Sequence, residues 1–409
     1  MNIYQQRRNQ LAKNMAPNSL LILAGNGELE RTADTTYPFR QSNNFLYLTG
    51  ISQPDAILVI QKSQDEIISH QLYIPQLHPF MAIWEGRTNQ LQELSDRSGI
   101  DTVEEYTQRE ELLSTLLTYE PRVIYLDMPD NTNAQIAAWQ LWSIVKDLAP
   151  DLDLAAINVE ISSMRVIKSD EEIMHTRKAI HITHQAIAHT RQMLHPGITE
   201  RAVAAEFIRF CSEKGYEQAF PPIISFSRNT CIIHHQPDDT KLHEGDLVLF
   251  DVGVEVAGYA ADISRTFSTG VLSERQQQVL DAVTSVQEDA IKLMKPGIAF
   301  DEFERQAAQI MAKKLVEIGL FDSLEQANEL EGDMQWPAYR RYFNHMTSHF
   351  LGLDAHDVGS REAVFEPGMV LTCEPGIYIA EEGIGVRIED DVLITAQGNR
   401  VLSAEPDHQ

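Results

Sequence analysis

The chain has 409 residues, of which 43% are hydrophobic and 23% charged, with 33 basic against 60 acidic side chains and a formal net charge of −27. That length allows one to three domains with a sizeable core, and that composition excludes a disordered chain. The acidic surplus argues against nucleic acid or an anionic membrane as a partner. Cys211, Cys231 and Cys373 are too few and too scattered for a disulfide framework or a zinc knuckle. The opening MNIYQQRRNQLAKNM lacks the apolar core of a signal peptide, and no run reaches membrane-spanning length. A soluble, cytoplasmic protein is expected.

In chain order, SLLILAG (19–25), DAILVI (55–60) and RVIYLD (122–127) read as buried strands. NAQIAAWQLWSIVKDL (133–148) has helical apolar spacing. Alternation of this kind predicts a small α/β domain with a mixed sheet over residues 1–160. APDLDL (149–154) reads as a linker. A second domain is expected over 161–409, where Ser169 caps a helix whose first turn carries Asp170, Glu171 and Glu172. A faint repeat follows. MLHPGI (193–198) and LMKPGI (293–298) each set a Pro-Gly pair between helix-like stretches. GDLVLFD (245–251) aligns with GMVLTCE (368–374), matching Asp251 to Glu374. Two related halves with a cleft between them are expected.

Asp251 ends a continuous apolar run, and Asp262 lies eleven residues later in a second strand-like run. A hairpin turning at EVAG (255–258) sets them directly opposite, with Cβ atoms about 5 Å apart. Two carboxylates that close repel unless a proton or a cation lies between them. The second half repeats the device with Glu374 and Glu389 across the turn-like AEEG (380–383). Four converging carboxylates are untenable in a dry site without metal. NHMTSHFLGLDAHDVG (344–359) offers His345, His349 and His356 as nitrogen ligands; the first two share a face if helical. Such an oxygen-rich donor set suits two ions of Mn²⁺, Co²⁺ or Fe²⁺, roughly 3.5–4 Å apart.

FDVGVEVAGYAADISRTF, SHFLGLDAHDVG, EPGMVLTCEPGIYI and GIGVRIEDDVLIT resemble the pita-bread metallopeptidases, and ADTTYPFRQSNNFLYLTG (33–50) resembles the N-terminal domain of their aminopeptidase P branch. The resemblance spans nearly the whole chain. It implies an α/β (α+β) protein, with a mixed N-terminal domain followed by a pseudo-two-fold pita-bread catalytic domain. It also implies a dinuclear-metal aminopeptidase that cuts between an N-terminal residue and a following proline.

By the same resemblance, Asp251 and Asp262 hold one metal, His349 and Glu374 the other, and Asp262 and Glu389 bridge. The ions would be Mn²⁺, with Co²⁺, Fe²⁺ or Zn²⁺ as substitutes. Glu374 would shuttle a proton to the leaving imino nitrogen. His234, in NTCIIHHQPDD, and His356 would stabilise the oxyanion; His345 is a further site histidine. Tyr378 and Arg387 match positions that support the metal ligands. Trp84, in IWEGR, matches a residue that reaches a neighbouring subunit's site, so a dimer or tetramer is implied. His235, adjacent to His234, is expected to face away. The partners would be peptides with proline second. Two alternatives carry different expectations: a prolidase would take only Xaa-Pro dipeptides, and a non-catalytic pita-bread binding protein would lack metal. The full ligand set argues against the second, and against a creatinase-like amidinohydrolase.

Overall fold

The computed structural model describes residues 2–84, 86–128 and 132–404. The chain forms two compact units that divide between Met164 and Arg165.

The first unit is built on a six-stranded sheet. Its strands are β1 (Ser19–Ala24), β2 (Ile57–Lys62), β3 (Ile68–Pro75), β4 (Thr102–Tyr106), β5 (Val123–Leu126) and β6 (Asp153–Ala156), in the spatial order β4-β3-β2-β1-β5-β6. β1 is antiparallel to β2 and parallel to β5, so the sheet is mixed, as expected. Leu20, Ile22, Val59, Ile124 and Leu126 form one core with Leu113 of α1 (Arg109–Leu117) and with Leu141 and Val145 of α2 (Thr132–Leu148). Leu21, Leu23, Leu58 and Ile60 face the other side and are buried too. Coverage of both faces explains why these runs are continuously apolar instead of alternating. One expectation is corrected here. Residues 149–154 are not a linker, because Asp153–Ala156 pairs with Val123–Leu126 as an edge strand and Ile157 N donates to Leu126 O.

The second unit repeats one pattern twice. α3 (Asp170–Arg191) starts at a capping box in which Ser169 and Glu172 bond reciprocally. It leads through Pro196–Gly197 to α4 (Glu200–Glu213). α5 (Glu274–Leu293) leads through Pro296–Gly297 to α6 (Phe300–Glu317). Gly197 and Gly297 have φ of +93° and +90°, which a side chain would strain. Their amides donate to Leu242 O and Phe365 O, and the amides of Leu242 and Phe365 return bonds to Ile198 O and Ile298 O. A shared turn with the same long-range partners is the structural basis of the sequence repeat.

Each half then contributes strands to the site. The first supplies β7 (Ile223–Phe226), β8 (Leu247–Val252) and β9 (Ile263–Ser268), with β8 between the other two. The second supplies β10 (Val370–Cys373), β11 (Gly376–Ile379), β12 (Ile384–Arg387) and β13 (Asp390–Thr395). Along β8, Val248, Phe250 and Val252 pack with Val203 and Phe207 of α4. The odd-numbered residues therefore take the opposite face, which ends in Asp251. Along β12, Ile384 and Val386 pack with Val279 and Val283 of α5, which turns Arg387 to the other face. Alternation in both halves thus buries apolar residues under helices and leaves charged ones on a shared inner face.

Candidate metal centre

Asp251 and Asp262 are not directly opposed. β8 and β9 pair with Asp251 against Ser264, and the extension of the hairpin pairs Val256 with Tyr259. The turn is Ala257–Gly258, with φ of +53° and +85°, a primed two-residue turn that matches the strand twist. The register is shifted accordingly, and Asp262 becomes the diagonal neighbour of Asp251 on the same face. Gly253 sits at this crossing. A Cβ there would lie 1.9 Å from Ala261 O, so only glycine lets the strands close around Asp262.

In the second half, Cys373 pairs with Asp390 and Gly376 with Arg387. The common register sets Glu374 opposite Glu389, across the expected turn at 380–383. The segment with His345 and His349 is not helical; it is irregular, with bends at His345 and Thr347. Thr372 N donates to His349 O and Glu374 N to Thr347 O, which lays it along β10. Both imidazoles nevertheless reach the same carboxylate, His345 Nδ1 lying 3.6 Å from Glu374 Oε2 and His349 Nε2 3.5 Å from Glu374 Oε1.

These residues meet in one place. His349 Nε2 lies 3.6 Å from Asp262 Oδ2, 3.5 Å from Glu374 Oε1 and 4.0 Å from Glu389 Oε1. His349 Nδ1 is 3.1 Å from Phe350 O, a pure acceptor, so it carries the proton. The Nε2 lone pair then faces three carboxylate oxygens. Burial and neighbouring His356 pull this imidazole down to about 4, which keeps it neutral. Burial, and after it repulsion from Glu389, raise both Asp262 and Glu374 well above the carboxylate range. Burial and then Asp251 push Glu389 up to about 8. Asp251 Oδ2 accepts from the Arg387 guanidinium, while its buried Oδ1 has no hydrogen-bond partner among the described residues. Asp262, His349 and Glu389 each offer a ligand atom, all within 4.8 Å of one another. Acceptors facing acceptors, with an orphaned carboxylate oxygen beside them, form a donor set that fits cations.

Arg387 anchors this set from behind. Its Nε donates to Ser264 Oγ, and Ser264 Oγ donates to Glu389 Oε2 at 2.7 Å. Another guanidinium nitrogen donates to Tyr378 Oη at 2.9 Å. His345 Nδ1 is 2.7 Å from Met346 O and so bears the proton, and its Nε2 accepts from Tyr378 Oη at 2.8 Å. Burial, then Arg387, pull His345 down to about 3, and burial pushes Tyr378 up to about 12. The chain Arg387–Tyr378–His345 therefore holds one fixed proton arrangement.

A cavity of about 300 Å³ opens onto the centre. Asp251, Asp262, His349, Glu374, Arg387 and Glu389 line it together with His234 and His356. Phe220, Pro221, Ile223, Ile233 and Ala355 make an apolar wall. The His356 ring centroid is 4.2 Å from that of His349. His235 turns away as expected, but the segment is a turn following a 3₁₀ helix, and the cause is a bond to buried Glu200. Trp84 ends the short helix Phe80–Trp84 in the first unit, 61% exposed and stacked on Phe80 at 5.3 Å. Sequence reasoning missed Ser264 and Asp391. Asp391 Oδ2 accepts the backbone N–H of Asp262. Both lie two residues beyond an expected ligand, so the two-residue strand period could have found them.

Glu304 of α6 supports the histidine segment, accepting Thr347 N at 2.9 Å. Burial raises its carboxyl to about 7. A folded-state value raised above the unfolded one contributes stability below about 4.5 that is lost as pH rises through about 7. Glu304→Gln keeps the acceptor without the charge. Its thermal midpoint relative to the parent should climb between pH 5 and pH 8, by a free energy of about 3 kcal/mol. Parallel stability curves for the two proteins would contradict this.

Carboxylates and an imidazole converging at the floor of a cavity define a metal-dependent hydrolase, and the chain belongs to metallopeptidase family M24, whose model matches residues 174–396. Ahead of that region, residues 4–125 match the N-terminal domain of aminopeptidase P. The chain is 34% identical, over an alignment of 427 positions, to the Xaa-Pro aminopeptidase of Escherichia coli, covering 98% of this chain and 94% of that one. It is 29% identical to Xaa-Pro aminopeptidase 3 of Homo sapiens, covering 94% and 78%. The structure of proline aminopeptidase P II from Yersinia pestis superposes with a TM-score of 0.85 at 34% identity, covering 99% and 96%. Aminopeptidase P from Escherichia coli gives 0.84 at 32% identity, covering 98% and 94%. Among the described residues, no helix is long and apolar enough to cross a membrane.

Proposed function

We propose that the protein removes the N-terminal residue of peptides whose second residue is proline. The observation that carries this is the His349 lone pair facing Asp262, Glu374 and Glu389 on the floor of a half-apolar cavity. Asp251, Asp262, His349, Glu374 and Glu389 would hold two divalent ions, with Mn²⁺ favoured by the hard, oxygen-rich donor set. Such ions supply Lewis acidity toward the scissile carbonyl and lower the pKa of water. Arg387 holds Asp251 in its ligand orientation, and Ser264 does the same for Glu389. Glu374 accepts a proton and passes it to the leaving imino nitrogen. His234 and His356, on the cavity wall, donate to the carbonyl oxygen as negative charge develops there. His345 keeps Tyr378 and Arg387 in register behind these groups. Proline offers no N–H to recognise, which suits the wall of Phe220, Pro221, Ile223 and Ile233. We place this activity in the cytoplasm of the cell, in a homodimer or homotetramer.

Chelation followed by add-back of single metals tests this. Hydrolysis of a Xaa-Pro-Xaa tripeptide should vanish on chelation and return best with Mn²⁺. Full activity in the presence of chelator would refute it.

Trp84 bears on substrate length. A large aromatic surface exposed on one subunit can wall the cleft of another at low entropic cost. Trp84→Ala should then raise KM for tripeptides and longer substrates more than for dipeptides, with kcat little changed. Equal effects at all lengths would remove Trp84 from the site.

A further inference from the structure

Resting on the role given to His234 above, we propose that Glu200 is the positioning residue for that histidine, fixing the loop that presents it to the cavity. Glu200 is the first residue of α4 and is fully buried. Its Oε1 accepts Phe226 N at 2.7 Å and Asn229 Nδ2 at 3.1 Å. Its Oε2 accepts His235 Nε2 at 2.6 Å and Asp238 N at 3.2 Å. All four donors belong to the segment 226–238, which carries Ile233 and His234 to the cavity wall. That segment has little regular structure of its own. Its 3₁₀ helix spans only Ser227–Cys231, and Ser227 sits at φ +51°, a conformation that persists only when neighbours enforce it.

A carboxylate offers about four lone-pair sites, and here all four are used. Two consequences follow. Glu200, His235 and Asp238 have ligand atoms within 4.8 Å of one another, but Glu200 has no lone pair left for a cation, so the group is a clamp and not a second metal site. Glutamine cannot replace the clamp, because its NH₂ would confront two donors. The positive end of the α4 dipole favours the charge that the clamp needs. The second half uses an analogous device, in which Glu304 on α6 accepts Thr347 N between His345 and His349.

The test is a double-mutant cycle on the metal-loaded full chain, reading kcat and KM on an alanyl-prolyl-alanine tripeptide, with metal content and thermal midpoint measured alongside. Glu200→Gln should lower kcat on the order of a hundredfold, the scale set by a misplaced catalytic group, with metal content unchanged. In a His234→Ala background the same change should cost less than about threefold, because the group it positions is gone. If Glu200→Gln fails to fold, His235→Leu removes a single donor. It should show a smaller kcat loss with the same dependence on His234, and His235→Gln, which keeps a donor, should recover most of it. An equal loss with and without His234, or a folded Glu200→Gln enzyme at full kcat, would overturn the proposal alone. A His234→Ala enzyme at full kcat would instead overturn the role of His234 and this proposal with it.

Discussion

Replacing Asp262 by asparagine is expected to reduce peptide hydrolysis to background while leaving the fold intact. Asp262 is buried, its Oδ2 lies 3.6 Å from His349 Nε2, and it offers a ligand atom within 4.8 Å of those of His349 and Glu389. Its backbone is fixed independently, by Asp391 on one side and the closed crossing at Gly253 on the other. Asparagine fits that space but supplies one oxygen instead of two and no charge, so a shared ion would lose its central ligand. The fold should not suffer. Burial and Glu389 already disfavour the Asp262 charge, and an uncharged side chain relieves that repulsion. A metal-free Asp262→Asn protein should therefore be at least as stable as the metal-free parent, with the advantage growing as pH rises. Calorimetry at several pH values, together with metal analysis and peptide assays, checks both halves. Normal turnover with full metal occupancy would remove Asp262 from the centre.

The second large effect is expected at His356. It lines the cavity and packs its ring against His349, yet it is outside the five residues proposed as metal ligands. Burial, and then nearby His234, lower its pKa from the ordinary value, so its neutral form dominates near neutrality and can donate one N–H. His356→Ala should retain its metal and lose turnover by roughly a hundredfold or more, the scale for loss of one transition-state donor. The loss should fall on kcat more than on KM, because the donor acts mainly on the developing charge. Loss of one metal equivalent in the purified variant would instead make His356 a ligand.

The placement of the centre was legible in the sequence because carboxylates interrupting buried apolar strands have few uses other than holding cations. Asp251 after LVLF and Glu374 after VLTC carried that signal in both halves, and the Pro-Gly repeat related the halves. The hairpin register was less legible. A turn at EVAG and one at Ala257–Gly258 differ by a single residue in position, yet they change the partner of Asp251 from Asp262 to Ser264. That choice depends on two positive φ values, which Ala-Gly signals only weakly. Residues 149–154 looked like a linker because Pro and Asp punctuate them, but edge strands tolerate such residues when one side is paired. Glu200 was invisible for another reason. An acid in the first helical turn is ordinary helix chemistry, and only the tertiary fold shows that its partners belong to the loop of His234.

The most direct test of the central claim is a peptide panel assayed with the Mn²⁺-loaded protein and read by mass spectrometry. It would contain a Xaa-Pro dipeptide, a Xaa-Pro-Xaa tripeptide, a longer peptide with proline second, and the same longer peptide with alanine in that place. The single N-terminal residue should be released from the tripeptide and from the longer proline peptide, and the alanine peptide should remain whole. Hydrolysis confined to the dipeptide would contradict the account and make the protein a prolidase.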